Sequence, residues 1–474
     1  MIQETRQHPR RGIELAVAAH VVVFIVGVSW AFGGNADWVR MPISAWGSLG
    51  ILLSFAITAG LGSGGRANSS VLTWAWPVLA LNALVAASCL TPGLRAMAFE
   101  SGTLLVPVHV DWWVPSAARP DLALRALWLF DGIYFSCLNV ALAVRSRRTI
   151  RLILAAAAAN ALALSIFGIV QKAFGSSGIY FGRVEVPHPQ FFASFVYDNH
   201  WGAFTIIMIG ACIGLVLRYA YGRRGEGFFN GPAFAGVVAA FVMAVSIPLS
   251  GSRACTMLLV ALAGISLVHG APRISRALRF SGATGAGLTL GMAAAALLAA
   301  GGAWLFAGDV IQARAQKTGE QLAAMWAAGG IGSRSVLYSD TIRMALARPL
   351  FGWGMGSYPV VFSMFNTQES KIDHLPVIYH DAHSDWLQSA AEIGLAGTAL
   401  IGFAVALPLR KMRRHRVGPI PFLLLSACAL VATYALVEFP FGNVAVVLAW
   451  WLCFLSAVQY SRLSGGADPA PPGE

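Results

Sequence analysis

The chain has 474 residues, of which 57% are hydrophobic and 11% charged, with a mean hydropathy of +0.66. That usage excludes an ordinary soluble globular protein and points to a chain living mostly in lipid. The 33 Lys and Arg against 21 Asp and Glu give a net charge of +12, which in so apolar a chain reads as a topology signal and a hold on anionic lipid, with no nucleic-acid partner.

Apolar stretches of about 18 or more residues, each enough to cross ~30 Å of hydrocarbon as a helix, recur along the whole length. About twelve are expected, at approximately residues 13–34, 43–62, 71–90, 122–144, 150–171, 200–219, 233–249, 253–270, 284–306, 384–409, 419–439 and 441–460. Unpaired backbone groups are costly in lipid and no alternating barrel pattern is present, so the fold class is all-α, a polytopic integral membrane protein. The basic start MIQETRQHPRR leads into a long apolar run without a small-residue cleavage site, and the first span reads as retained.

Basic residues stay preferentially on the cytoplasmic side. With twelve spans and both termini cytoplasmic, the short inner segments hold 20 of the 33 Lys and Arg, among them RSRRTIR (145–151) and RKMRRHR (410–416). Three outward segments, roughly 91–121, 172–199 and 307–383, are too long to be mere connections, so chemistry is sought on that face. The last of them is a large loop between helices 9 and 10. Within it Val336, Leu337, Ile342, Met344, Ala345 and Leu346 form an apolar stripe at helical spacing, broken by Arg334, Arg343 and Arg348 and ended by Pro349, which predicts an interfacial helix. The following GWGMG (352–356) has no strand before it and no GK[ST] after it, which argues against a nucleotide loop. The six cysteines fall in or beside predicted spans without a CxxC pair and read as packing residues. The tail GGADPAPPGE (465–474) reads as disordered.

One stretch combines apolar periodicity with proton-transfer chemistry: HDAHSDWLQSAAEIGLAG (380–397). Ser384 or Asp385 is a candidate N-cap, with Gln388 completing a capping box, which sets His383 at the outer mouth of a helix. His380 and His383 also have HxxH spacing, although no third or fourth metal ligand can be assigned. Glu392 lies deeper on the same helix and Asp131 inside the fourth span. A carboxylate at such depth needs a partner, and for Glu392 a hydrogen bond to a neighbouring helix is expected. Arg253, in SGSRACTMLL, and Arg183, in FGRVEVPHPQFFASFVYDNHWGAF, both fall outside near the bilayer plane. Arginine never loses its charge and can clamp phosphate oxygens in bidentate fashion.

The chain resembles the O-antigen ligase and polymerase superfamily. HDAHSDWLQSAAEIGLAG is close to that family's H-x-H-[NS]-D-x-L-Q-x-x-x-E-x-G-x-x-G signature. ARPLFGWGMGSYP is similar to its P-L-x-G-x-G-x-G-x-[FY] element, SGSRACTMLL to its S-x-S-R-[GA] turn and FVYDNHWGAF to its F-x-x-x-N-H-[FW] element. WAFGG (30–34) and VEFPFG (437–442) are similar to its opening and closing patterns, with Glu438 where aspartate is more usual. The resemblance implies a type C glycosyltransferase-like fold in one membrane-embedded domain over 1–463, with its core motifs at about 235–400, in the bacterial inner membrane. It implies transfer of a glycan from undecaprenyl diphosphate to a sugar hydroxyl on the periplasmic face, in surface polysaccharide biosynthesis. The acceptor would be lipid A-core for a ligase or another glycan repeat for a polymerase.

In that scheme His383 is the general base and Arg253 and Arg183 hold the diphosphate, with no metal or other cofactor. Glu438 orients the base or meets the acceptor, and His200, Asn199, Arg334 and Tyr358 are candidate wall residues. Partners would be the lipid-linked donor, the acceptor, the bilayer and other polysaccharide assembly proteins. Two rivals remain: a transporter, which should concentrate polar groups at mid-bilayer on interrupted spans, and a non-catalytic scaffold of an export complex.

Overall fold

The computed structural model describes residues 8–60, 69–99, 102–186, 190–220, 231–281, 333–368, 378–412 and 417–463. Among them eight helices are long and apolar enough to cross a membrane: α1 (His8–Trp30), α2 (Asp37–Thr58), α4 (Pro120–Ala143), α5 (Arg147–Ala173), α6 (Asp198–Ala220), α7 (Pro232–Ser250), α8 (Arg253–Ser281) and α13 (Val444–Arg462). Three shorter apolar helices, α3 (Trp76–Cys89), α11 (Gly394–Arg410) and α12 (Pro419–Tyr434), coincide with further predicted spans. The fold is therefore the expected all-α polytopic one. The predicted span at 284–306, residues 307–332 and 369–377 of the large loop, and the tail from 464 lie outside the described residues.

The centre of the bundle is set by α13 and α6, whose apolar windows are 94% and 89% buried against 17% for α8. Helices in lipid gain little from burying oil against oil, so close backbone approach and polar ties hold them together. At the crossing of α2 and α4, Gly47 faces the backbone of Gly132 and Gly50 faces Ser136, and a Cβ on Gly47 would stand 2.7 Å from the Gly132 Cα. One turn further Ser54 donates to Asn139 Oδ1 at 2.8 Å. Asp131 receives a hydrogen bond from Asn82 of α3 at 3.0 Å, the partner the sequence did not reveal.

Three features of the long connecting segments depart from or refine the sequence reading. Segment 91–121 carries a hairpin, β1 (Leu94–Phe99) with β2 (Gly102–Pro107), paired from Leu94↔Pro107 to Phe99↔Gly102. The expected span 384–409 is interrupted: a short helix, α10 (Asp385–Glu392), precedes α11, and the break falls at Gly394, whose φ is +65°. A side chain there would meet the Leu350 carbonyl at 2.4 Å, and one at Gly352, φ +69°, would meet the Glu392 carbonyl at 2.4 Å. The glycines of the GWGMG loop and of the signature thus exist to let two backbones touch. A helix does form there, α9 (Ser333–Ala347), and it buries Leu337, Asp340, Thr341 and Met344 while Val336, Ile342 and Leu346 stay exposed. Polar residues turn inward because they have partners: Asp340 pairs with Arg343 and accepts from the Thr367 backbone and hydroxyl, each at 2.8 Å.

Candidate active site

Ser384 is the N-cap of α10, its hydroxyl accepting from the Leu387 N–H at 3.4 Å. Gln388 does not close a capping box on it but accepts from the Ala382 N–H at 3.0 Å, tying the histidine segment down. His383 therefore projects from the residue just ahead of the cap, and its backbone has φ +50°, a left-handed conformation unusual for a residue with a Cβ. Such strain persists only where neighbours over-determine it. Here Tyr338 of α9 donates its hydroxyl to the His383 carbonyl at 2.9 Å and lies 3.3 Å from the Val437 carbonyl.

Arg334, one turn earlier on the same helix, reaches the same place. Its guanidinium donates to Glu438 Oε1 at 2.6 Å and to the Val437 carbonyl at 3.3 Å. The other carboxylate oxygen, Oε2, stands 3.6 Å from His383 Nδ1, an ion-pair distance rather than a hydrogen bond, and neither atom has another hydrogen-bond partner. Burial works against the Glu438 charge, but His383 and the bonded Arg334 outweigh it and hold the carboxyl below the usual carboxylate value. Phe439 wedges beside them, edge-on to His383 at 4.8 Å and to His200 at 5.0 Å, and stacked on Tyr197 at 5.4 Å.

These groups border a cavity of about 650 Å³. Its walls come from four places at the same end of the bundle: Phe32 to Trp38 at the junction of α1 and α2, Ile179, Val184 to Val186, Val196 and Tyr197 between α5 and α6 with His200 in the first turn of α6, Ile378 to His383 before α10, and Phe439 before α13. The topology expected from the basic residues would put all four on the outer face. His383 has a side-chain exposure of 29% and lies in this wall together with His380 and Asp381. Burial raises the Asp381 carboxyl, an effect eased by the charges of His383, His380 and Arg40.

The other expected site residues divide. His200 lines the cavity, but both ring nitrogens are engaged, Nε2 at 3.1 Å from the Phe439 carbonyl and Nδ1 at 3.4 Å from Asn35 Nδ2. A carbonyl can only accept, so Nε2 carries the proton and the ring serves as a brace. Asn199 donates to the Tyr197 hydroxyl at 2.8 Å and accepts from the Ser252 hydroxyl, joining the start of α6 to the turn before Arg253. Arg253 is exposed at the head of α8, one residue past that tie. Arg183 is exposed immediately before Val184 and Glu185, which line the cavity. Neither arginine is itself among the described lining residues. Tyr358 is fully buried, its hydroxyl 2.8 Å from that of Thr341, and packs under the site rather than walling it.

Glu392 also proves structural. Its carboxylate accepts from the backbone N–H of Gly356 at 2.9 Å and of Tyr358 at 3.0 Å, so its partner is a loop and not the neighbouring helix expected. Among the described residues no group of three or more His, Cys, Asp or Glu is arranged around a metal position, so the His380 and His383 pair gains no further ligand there.

A sequence profile of the family described as O-antigen ligase matches residues 238–402. That match supports the O-antigen ligase superfamily for this part of the chain. The matched span runs from α7 into α11 and includes Arg253, α9, the glycine loop, His383 and Glu392. No curated protein matches the chain. The match supports an O-antigen ligase or polymerase type of function, acting on polysaccharide-related substrates at the lipid bilayer. Around His383 and His200, the sequence did not reveal Tyr338, Asn35, Tyr197 and Phe439. The one signal for Tyr338 was its place four residues after Arg334, on the same helix face.

Proposed function

We propose that this protein transfers a glycan from undecaprenyl diphosphate to a sugar hydroxyl at the outer face of the bacterial inner membrane, and that lipid A-core or a similar glycan is the acceptor. The carrying observation is the placement of His383: its Nδ1 turned toward Glu438, and its ring in the cavity wall with Nε2 left to meet a substrate. A neutral imidazole there accepts the acceptor proton as the hydroxyl oxygen attacks the anomeric carbon. The bond from that carbon to the diphosphate oxygen breaks, and undecaprenyl diphosphate leaves with the electron pair. Glu438 steadies the imidazolium that forms, and Arg334 holds Glu438.

Arg253, with Arg183, takes the charge growing on the departing diphosphate, which favours the transition state over the ground state. A single displacement inverts the anomeric configuration. The test is turnover by the purified full chain in nanodiscs, supplied with an undecaprenyl-diphosphate glycan and either lipid A-core or a second lipid-linked glycan. Product with lipid A-core supports the ligase reading, and product only with the lipid-linked glycan replaces it with the polymerase. Arg253→Ala is expected to lower kcat about 100-fold, and undiminished turnover in that variant removes Arg253 from the mechanism.

A further inference from the structure

The described residues around the cavity include two carboxylates, Asp381 and Glu185, and no lysine or arginine. Arg183 stands beside Val184 but outside the lining, and two other nearby arginines are paired. Arg40, which bears electrostatically on Asp381, stands 3.8 Å from Asp37, and Arg334 is bonded to Glu438. A diphosphate placed in this cavity would face like charges across a short distance. Its walls are otherwise mostly apolar, partly aliphatic and partly aromatic, and the rings include Trp38, Tyr379 and, next to His383, Phe439. Rings that pack on the apolar C–H face of a pyranose, with carboxylates that accept from its hydroxyls, are complementary to a sugar.

We propose that this cavity is the acceptor subsite, and that Asp381 and Glu185 make it select a pyranose without negative charge, neutral or bearing a free amine, over a uronic or phosphorylated sugar. The inference rests on the transferase reading above and adds the substrate class of that site. Selection works by repulsion as much as by attraction. A neutral sugar satisfies the carboxylates with its hydroxyls, an ammonium adds an ion pair, and an anionic sugar leaves two charges opposed.

The probes are methyl glycosides of glucose, glucosamine and glucuronic acid, together with glucose 6-phosphate. Each is titrated against the full chain in nanodiscs by saturation-transfer NMR and then offered as acceptor with the lipid-linked donor. The expected result is that the glucoside and glucosaminide bind at least tenfold more tightly than the two anionic sugars, and that Asp381→Asn combined with Glu185→Gln reduces this preference below threefold. Trp38→Ala, at a side chain 71% exposed, is expected to weaken all four sugars alike and leave the preference intact, which keeps the proposal testable should the double variant fold poorly. Equal or tighter binding of the anionic sugars, an unchanged preference in the double variant, or no binding of any sugar overturns it. Preference without transfer from the donor to any acceptor leaves the subsite standing and removes the transferase reading. Transfer to the glucuronide as efficient as to the glucoside does the reverse.

Discussion

His383 and Glu392 belong to the same short stretch and to the same sequence signature, yet the structure gives them opposite work. His383 sits ahead of α10 in a left-handed backbone, its ring in a cavity wall and its Nδ1 facing a carboxylate without a hydrogen bond. Glu392 closes α10, with both carboxylate oxygens taken by backbone N–H groups of the glycine loop. One group has capacity to spare for a substrate and carries strain, while the other is saturated and relaxes a tight crossing of two chains. An ionisable residue near a membrane face is thus informative about chemistry only once its hydrogen bonds are counted.

The contrast can be broken most directly at His383. His383→Ala should lower kcat about 100- to 10,000-fold, the range for loss of a positioned base, with an unfolding midpoint in nanodiscs close to that of the parent. Turnover within threefold of the parent would put the chemistry elsewhere. Glu392→Ala should act on the other axis. It strands the N–H groups of Gly356 and Tyr358 and costs about 2–5 kcal/mol, read as a lower denaturant midpoint, whereas Glu392→Gln recovers most of it.

The pH dependence sharpens the same point at the histidine's partner. Glu438 is held below the usual carboxylate value by His383 and Arg334 against the effect of burial, so it contributes to stability above about 4.5 and loses its contribution as pH falls through its lower folded value. Glu438→Gln should reduce kcat about 10- to 100-fold with KM nearly unchanged, the signature of an effect confined to the transition state.

Tyr338→Phe is the mildest test. Loss of one hydroxyl shared between the His383 and Val437 carbonyls should cost about 1 kcal/mol and, through the ring's position, about threefold to tenfold in kcat. If kcat holds while stability falls, α9 supports the fold and not the base.

Much of this was legible early. The apolar runs were long enough to give the helices, and the signature gave the N-cap and the place of His383 just ahead of it, because length, hydropathy and capping are local properties of the chain. Spans shortened or split where the reason was not local: the break ahead of α11 exists because Gly394 must touch Leu350, a residue of another segment. The helix over 333–347 was legible but not which residues it buries, since Asp340 turns inward only because Thr367 awaits it.

By itself the sequence determined an all-helical membrane chain with an O-antigen ligase-like signature at 380–397. Only the tertiary structure decided which polar residues converge. It joined α9 to Glu438 and His383, placed Asn35 and Phe439 around His200, and kept Tyr358 and Glu392 out of the cavity. The physical reason is range: hydropathy and caps act within a few turns, whereas ion pairs and hydrogen bonds between distant segments exist only once the bundle has brought them within a few ångströms.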